Sequence, residues 1–243
     1  QGGLSMQSAV SVGGREQVGR MAGLRAAKPP LCIQTAAGVF YVGPNAHDWG
    51  RPTENLDLDR LTGTPELMAL LYGALSQYGL GESSLNLIVG LPIHVLMGPD
   101  VQATEQTVRS TLRGTHHWAA DGREQTVQII SLRLTSQPVG AMFDYLLDSE
   151  GQMYAARQSA FRGEMGIVGI GMNTLDLLVV RGGAPVQRFT AGETLGVRRL
   201  LELTGWDKSL SLAERDSLLR SGRLPVGDMV PVWQSEVLGF IES

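Results

Sequence analysis

The sequence predicts an α/β protein on three observations. Its 243 residues are 43% hydrophobic and 18% charged, which is typical of a soluble globular protein that buries a core. Segments with apolar residues at helical spacing alternate with short apolar runs that glycine or proline ends. In the last third of the chain, glycine-rich turns join neighbouring apolar runs, which indicates antiparallel strands there.

The first half contains two predicted helices with a strand between them. Thr64-Pro65-Glu66 supplies an N-cap, a first-turn proline and an early acid, so a helix begins there. Leu85 to Val89 predicts a buried strand, which Gly90-Leu91-Pro92 ends. Val101 to Leu112 predicts the second helix, and Gly114 closes it.

A β-hairpin and a third helix are predicted next. Trp118 to Ala120 and Gln125 to Leu134 flank Asp121-Gly122, which is a favoured two-residue hairpin turn. Pro138 begins a helix that runs to Leu147, because proline is well tolerated in the first turn of a helix.

The last third predicts a three-strand meander and three helices. After a connecting segment that runs from residue 150 to residue 163, the strands are Met165 to Ile170, Thr174 to Val180 and Pro185 to Phe189. The helices are Thr194 to Leu203, a short helix that begins with the capping box Ser211-Leu212-Ala213-Glu214, and Met229 to Ile241.

The turn between the first two of these strands is the most informative motif. It reads Gly169-Ile170-Gly171-Met172-Asn173-Thr174-Leu175-Asp176. Glycines tolerate positive φ and carry no Cβ, so successive N–H groups can converge on an anion that approaches the backbone closely, and phosphate is the expected anion. An ordinary hairpin turn has the same pattern, and the residues alone leave both interpretations open.

Composition and isolated residues exclude several function classes. The net charge of −4 and the pI near 5.6 argue against direct binding of nucleic acid, which needs a basic face. The single cysteine, Cys32, excludes an internal disulfide and a thiolate zinc site and indicates a reducing, cytoplasmic location. Leu85 to Met97 is too short to span a membrane. His116 and His117 are neighbours on one strand, so they cannot share a metal ion, and we expect them at the surface.

The order of elements resembles the actin-like ATPases of bacteria and archaea, in particular the plasmid-segregation (ParM) type. The resembling segments are Gly90-Leu91-Pro92, Gln137-Pro138-Val139-Gly140-Ala141 and Gly192-Glu193-Thr194-Leu195-Gly196. The resemblance covers nearly the whole chain and implies actin-like, RNase H-like domains, with mixed sheets flanked by helices. It places the first domain at residues 1–163 and the start of a second at residues 164–243.

The resemblance extends to the glycine-rich turn. The family's second phosphate loop reads Asp-x-Gly-x-x-Thr-x-Asp; Gly171, Thr174 and Asp176 are in register with it, whereas Gly169 stands in the place of the first Asp. The resemblance therefore implies ATP and Mg²⁺ as ligands. The residues that it implies for nucleotide binding are Gly169, Gly171, Met172, Asn173, Thr174, Asp176 and Gly192.

Two side chains at this implied site each have two possible roles. Gln137 either orients the attacking water, as the resemblance implies, or only begins the helix before Pro138. Asp176 either hydrogen-bonds the turn or contacts a metal ion, and no metal ligand from the protein is predicted. Because Gly169 offers no carboxylate, ATP hydrolysis is expected to be weak or absent.

The resemblance implies a cytoskeletal protein that forms polar filaments with ATP, that segregates plasmid DNA through an adaptor, and that has no membrane partner. The alternative is a degenerate, non-hydrolysing scaffold or regulator; a sugar or acetate kinase is a less favoured third. A first phosphate loop with a lysine and a Gly-Gly-Gly adenine segment have no counterpart in this sequence. The expectation is therefore that the first domain lacks its first strands and that the second is truncated.

Overall fold

The chain divides into two compact units. A computed structural model describes residues 3–13, 28–53, 61–80, 82–205 and 210–243. One unit, called here the sheet unit, comprises Gly2–Leu87 and Gln106–Leu132, and the other, called the hairpin unit, comprises Ile88–Glu105 and Arg133–Ser243.

The chain contains both strands and helices, as the sequence predicts, and they follow one another in groups. Up to residue 136 the elements are β1 (Val10–Val12), β2 (Leu31–Thr35), β3 (Gly38–Val42), β4 (Arg51–Pro52), α1 (Pro65–Ser76), β5 (Glu82–Leu91), α2 (Val101–Leu112), β6 (Gly114–Ala120) and β7 (Arg123–Ser136). The later elements are α3 (Gln137–Leu146), α4 (Gln158–Arg162), β8 (Glu164–Ile170), β9 (Leu175–Arg181), β10 (Ala184–Pro185), β11 (Ala191–Glu193), α5 (Val197–Leu203), α6 (Leu212–Arg220) and α7 (Val230–Glu242). No helix in the described part of the chain is long and apolar enough to cross a membrane.

The sheet unit is organised by a seven-stranded sheet in the order β4-β1-β3-β2-β6-β7-β5. Its β6–β7 turn has Asp121 at φ 48° and Gly122 at φ 76°, the left-handed conformation that an Asp-Gly hairpin turn requires. Helix α1 packs on β1, β2, β3 and β6. The buried apolar residues of this core are Val10, Ile33, Phe40, Val42, Ala69, Tyr72, Leu75, Trp118, Ala120, Val127 and Ile129.

His116 is buried beside this core, which corrects the expectation of a surface position. It is 8% exposed, with Nδ1 3.1 Å from the Tyr72 hydroxyl and Nε2 2.9 Å from the Leu112 carbonyl oxygen. Because a carbonyl oxygen can only accept, Nε2 carries a proton and donates to Leu112, and in the neutral ring Nδ1 is then the acceptor for the Tyr72 hydroxyl. His117 is exposed, as expected for the opposite face of the strand.

The hairpin unit is built around β8 and β9, which pair as an antiparallel hairpin. On its other edge β9 pairs with β10 and β11. Helix α3 packs on both strands of the hairpin. The buried core here consists of Ile93, Met142, Leu146, Leu178 and Val180.

Most predicted elements are present, but the prediction of the third strand of the meander is wrong. Gln187–Phe189 forms a 3-10 turn, and the strand pairing is made by β10 before it and β11 after it. Helix α5 begins at Val197, after the predicted start at Thr194, because Ala191–Glu193 is used as a strand. The short helix α4 lies inside the segment expected to be a connection.

Candidate functional site

The candidate site is the turn of the β8–β9 hairpin. Strand pairing ends with Ile170 opposite Leu175, and the Gly171 N–H donates to the Thr174 carbonyl oxygen at 2.9 Å. We call residues 171–174 the hairpin tip. Among the hydrogen bonds of the described residues, none is donated by the backbone amides of Met172 and Thr174. Met172 is partly exposed, so its N–H can donate to an external acceptor, whereas Thr174 is only 6% exposed.

Glycine at positions 169 and 171 is not explained by backbone conformation. Neither residue has a positive φ, which corrects the reason that the sequence suggests. A Cβ built on Gly171 would lie 3.6 Å from the Thr174 carbonyl oxygen, and one built on Gly169 would lie 3.9 Å from the Asp176 Cβ. Because both are ordinary contact distances, packing does not require glycine either. A ligand that comes close to the backbone does require a residue without a side chain.

The carbonyl groups of the hairpin tip are bound by the first turn of α5. The N–H groups of Gly196, Val197 and Arg198 donate to the carbonyl oxygens of Asn173, Gly171 and Met172 at 3.1, 3.0 and 2.7 Å, respectively. The first amides of a helix lack partners within the helix, so the tip satisfies them and stabilises the partly positive helix end. These α5 amides are consequently occupied and do not form an anion site of their own.

Gly196 permits this contact because it has no side chain. A Cβ at this position would lie 2.6 Å from the carbonyl carbon of Asn173, 2.6 Å from the Gly171 oxygen and 2.7 Å from the Met172 oxygen. Its φ of −66° is open to any residue, so the close approach alone explains glycine here. Gly196 is a further residue of this site that was not predicted from the sequence, although it ends one of the segments on which the resemblance rests.

Asp176 is buried and joins the hairpin to the segment after Gly90-Leu91-Pro92. It is 3% exposed, and its Oδ1 accepts from the Ile93 N–H at 2.8 Å while the Thr174 hydroxyl donates to its Oδ2 at 3.4 Å. Burial raises the pKa of the Asp176 carboxyl above its usual value, although both hydrogen bonds act in the opposite direction. Both oxygens are engaged inside the protein, which is a structural arrangement.

Gly192 and Gln137 both lie close to the segment that contains Gly90-Leu91-Pro92 and the residues after it. Gly192 pairs with Asp176 across β11 and β9. A Cβ built on Gly192 would lie 2.6 Å from the backbone nitrogen of His94, so packing explains glycine at this position. Gln137 is exposed at the start of α3, and a Cβ on Gly90 would lie 3.2 Å from the Gln137 Cα. The role of Gly192 in nucleotide binding and that of Gln137 in orienting water both stay predictions.

The donor set fits an anion better than a metal ion held by the protein. In the described residues no group of three or more His, Cys, Asp or Glu is placed to hold a metal ion. The only carboxylate of the glycine-rich motif, that of Asp176, is engaged by Ile93 and Thr174. The hairpin tip, in contrast, presents the Met172 backbone donor, and Gly169 and Gly171 leave room for a ligand beside it.

Comparison of the sequence with protein families gives one match. A family model described as "Actin like proteins N terminal domain" matches residues 3–140. No curated protein matches the chain.

Comparison with solved structures gives matches at low sequence identity. The apo pSK41 ParM protein is 14% identical, with a TM-score of 0.63 over 98% of this chain and 72% of that chain. An archaeal actin homologue is 19% identical, with a TM-score of 0.55 over 92% of this chain and 63% of that one. An AlfA filament bound to AMPPNP is 15% identical, with a TM-score of 0.50 over 82% of this chain and 65% of that one. The chain thus spans less than two thirds of the last two, and the similarity establishes the fold.

Proposed function

Because the chain belongs to the actin-like protein family, we propose that its hairpin tip binds the phosphates of ATP and that nucleotide binding drives assembly into polar filaments. The observation that carries the proposal is the tip itself. Two tip amides have no acceptor among the described residues, and Gly169 and Gly171 have neither a conformational nor a packing reason to be glycine. The solved AlfA filament bound to AMPPNP, which has a similar fold, supports the same function.

The proposal divides the roles of the site residues by their chemistry. The Met172 N–H would hold a phosphate oxygen, and Gly169 and Gly171 would leave room for it, while Asp176 and Gly192 keep the hairpin in place. Nucleotide contacts of Asn173 and Thr174 also belong to the proposal. Magnesium would neutralise phosphate charge when bound, and it would be held mainly by the nucleotide and water. Gln137, which is exposed at the start of α3, would orient the attacking water.

A non-hydrolysing scaffold or regulator is the second candidate function. Gly169 favours it, because the position that resembles a catalytic Asp carries no carboxylate, and the nearby Asp176 carboxylate is engaged by Ile93. Under either function the net charge of −4 supports an indirect link to DNA through an adaptor. The proposal also includes two actin-like domains, with the boundary between residues 163 and 164. It includes a cytoplasmic location as well.

Nucleotide binding is tested at Gly171. We expect Gly171→Ala to weaken ATP–Mg²⁺ binding roughly tenfold, about 1.4 kcal/mol, because its methyl group would keep phosphate away from the tip amides. Stability should change little, since the new Cβ lies 3.6 Å from the nearest atom, the Thr174 oxygen. The measurement is a calorimetric titration, with thermal unfolding of the same samples.

The matched control for this titration is Gly166→Ala on strand β8, where a Cβ meets nothing within 4 Å. It makes the same chemical change away from the tip and should leave affinity unchanged. Equal affinities of wild type, Gly171→Ala and Gly166→Ala would contradict phosphate binding at the tip.

Filament assembly separates the two candidate functions. We expect the full-length protein to sediment as polymer with ATP and Mg²⁺ and to remain unassembled without nucleotide. Light scattering and sedimentation across a wide range of protein concentration measure this directly. Nucleotide binding without assembly at any concentration would favour the regulator, whereas salt-sensitive binding of bare DNA would contradict the indirect link to DNA.

A further inference from the structure

Helix α7 is connected to the hairpin tip through α5. The Arg199 guanidinium donates to both carboxylate oxygens of Glu236, with Nε 2.8 Å from Oε2 and Nη2 2.7 Å from Oε1. The Trp233 indole Nε1 donates to the Leu195 carbonyl oxygen at 2.9 Å. Leu195 and Arg199 lie on either side of the α5 residues whose amides bind the tip, so α7 holds that turn from both ends.

These contacts restrict motion of the α5 turn. A two-bond arginine–carboxylate pair fixes the relative orientation of its groups as well as their distance, and the indole adds a third anchor. A shift of α7 would move Leu195 or break one of these bonds. The same shift would then reach Gly196, Val197 and Arg198, whose N–H groups hold the tip carbonyls.

We infer that α7 sets the conformation of the hairpin tip through α5, and that Glu236 and Trp233 are positioning residues for the anion that binds there. The inference rests on the proposed function, because it names the control of that same site. Coupling is reciprocal, so an anion on the tip must also tighten the contact between α5 and α7. In this way α7 tunes the site, and occupancy of the site in turn stabilises the contact of α7 with α5.

The chain offers a matched pair of substitutions for the test. Glu236→Gln weakens the link between α5 and α7. Glu202→Gln removes the same charge from the exposed pair of Arg198 with Glu202, 2.7 Å apart within α5. Because the Glu202 charge also acts on Arg199, this variant changes the charge near Arg199 but leaves both hydrogen bonds from Arg199 to Glu236 in place. We expect Glu236→Gln to weaken ATP–Mg²⁺ binding about fivefold or more, the lower end of typical coupling, and Glu202→Gln to change it less than about twofold.

Hydrogen exchange provides a readout that does not depend on nucleotide. The amides of Val197 and Arg198 should exchange faster in Glu236→Gln than in Glu202→Gln, because the tip contact opens more often. The charge-swapped variant Arg199→Glu with Glu236→Arg should restore slow exchange, and Trp233→Phe should accelerate it independently of charge.

The outcomes separate this inference from the proposed function. Equal exchange at Val197 and Arg198 in the two glutamine variants, or equal loss of affinity in both, would overturn control of the tip by α7. Faster exchange of the Val197 and Arg198 amides in Glu236→Gln, but not in Glu202→Gln, supports control of the tip by α7. If the two variants show that difference in exchange but the wild-type protein binds no nucleotide, the proposed phosphate function fails. The inferred control of a binding site then fails with it, and only the structural link between α7 and the tip is supported.

Discussion

Replacing Gly196 by alanine is expected to lower the free energy of unfolding by about 3 kcal/mol, at the upper end of the usual cost of overpacking. The new Cβ would lie 2.6–2.7 Å from three backbone atoms of the hairpin tip, and backbone atoms cannot move aside as a flexible side chain can. The helix must therefore retreat from the tip, which breaks hydrogen bonds donated by Gly196, Val197 and Arg198.

Urea unfolding followed by circular dichroism measures this loss. Gly166→Ala is the control, because it makes the same chemical change at a site where a Cβ has no neighbour within 4 Å. Equal stabilities of Gly196→Ala and Gly166→Ala would show that α5 is not packed against the tip as described.

Replacing Gly169 by aspartate is expected to raise the rate of ATP hydrolysis by about 30- to 1,000-fold. This is the effect of supplying one preorganised charged group, about 2–4 kcal/mol of the barrier, to a phosphoryl-transfer site. The site has room, since the nearest atoms to a Cβ at this position are the Asp176 Cβ at 3.9 Å and the Asp176 oxygen at 4.0 Å. The full-length wild-type protein is expected to bind ATP but to hydrolyse it slowly.

Phosphate release measures both rates, and Gly169→Asn separates the charge of the new side chain from its size. The asparagine variant should remain as slow as wild type. A wild-type rate equal to that of Gly169→Asp would show that position 169 is not a catalytic gap. Loss of the rate gain when Gln137→Ala is added would support Gln137 as the residue that orients water.

Elements specified by neighbouring residues could be predicted from the sequence. Helix α1 begins after Thr64, whose hydroxyl accepts from the Leu67 amide, as the Thr-Pro-Glu signal predicts. Helix α6 has both hydrogen bonds of the capping box between Ser211 and Glu214. The β8–β9 hairpin also follows its local pattern, because apolar runs on both sides of a glycine-rich turn pair directly.

Contacts between distant segments could not be predicted in the same way. Asp176 accepts from the Ile93 amide 83 positions away, so no local pattern shows that its carboxylate is engaged. His116 is buried because α1 supplies Tyr72 and α2 supplies the Leu112 carbonyl, whereas the strand sequence alone favours either face. β10 and β11 both pair with β9, and the 3-10 turn Gln187–Phe189 lies between them in the chain. The spacing of apolar residues does not show that the strand is interrupted there.

The discontinuous sheet unit constrains the order in which the protein can fold. Strand β2 pairs with β6, and Ile33 lies opposite Ala120, so this pairing closes a loop of more than eighty residues. Such long closures slow folding because chain entropy is lost before the contact stabilises. During synthesis the local β2–β3 hairpin can form early, but the other edge of β2 must wait for β6 to leave the ribosome, whereas the β8–β9 hairpin can form as soon as it is made. We therefore expect that nascent chains which stop before residue 114 expose the unpaired edge of β2 and depend on chaperones.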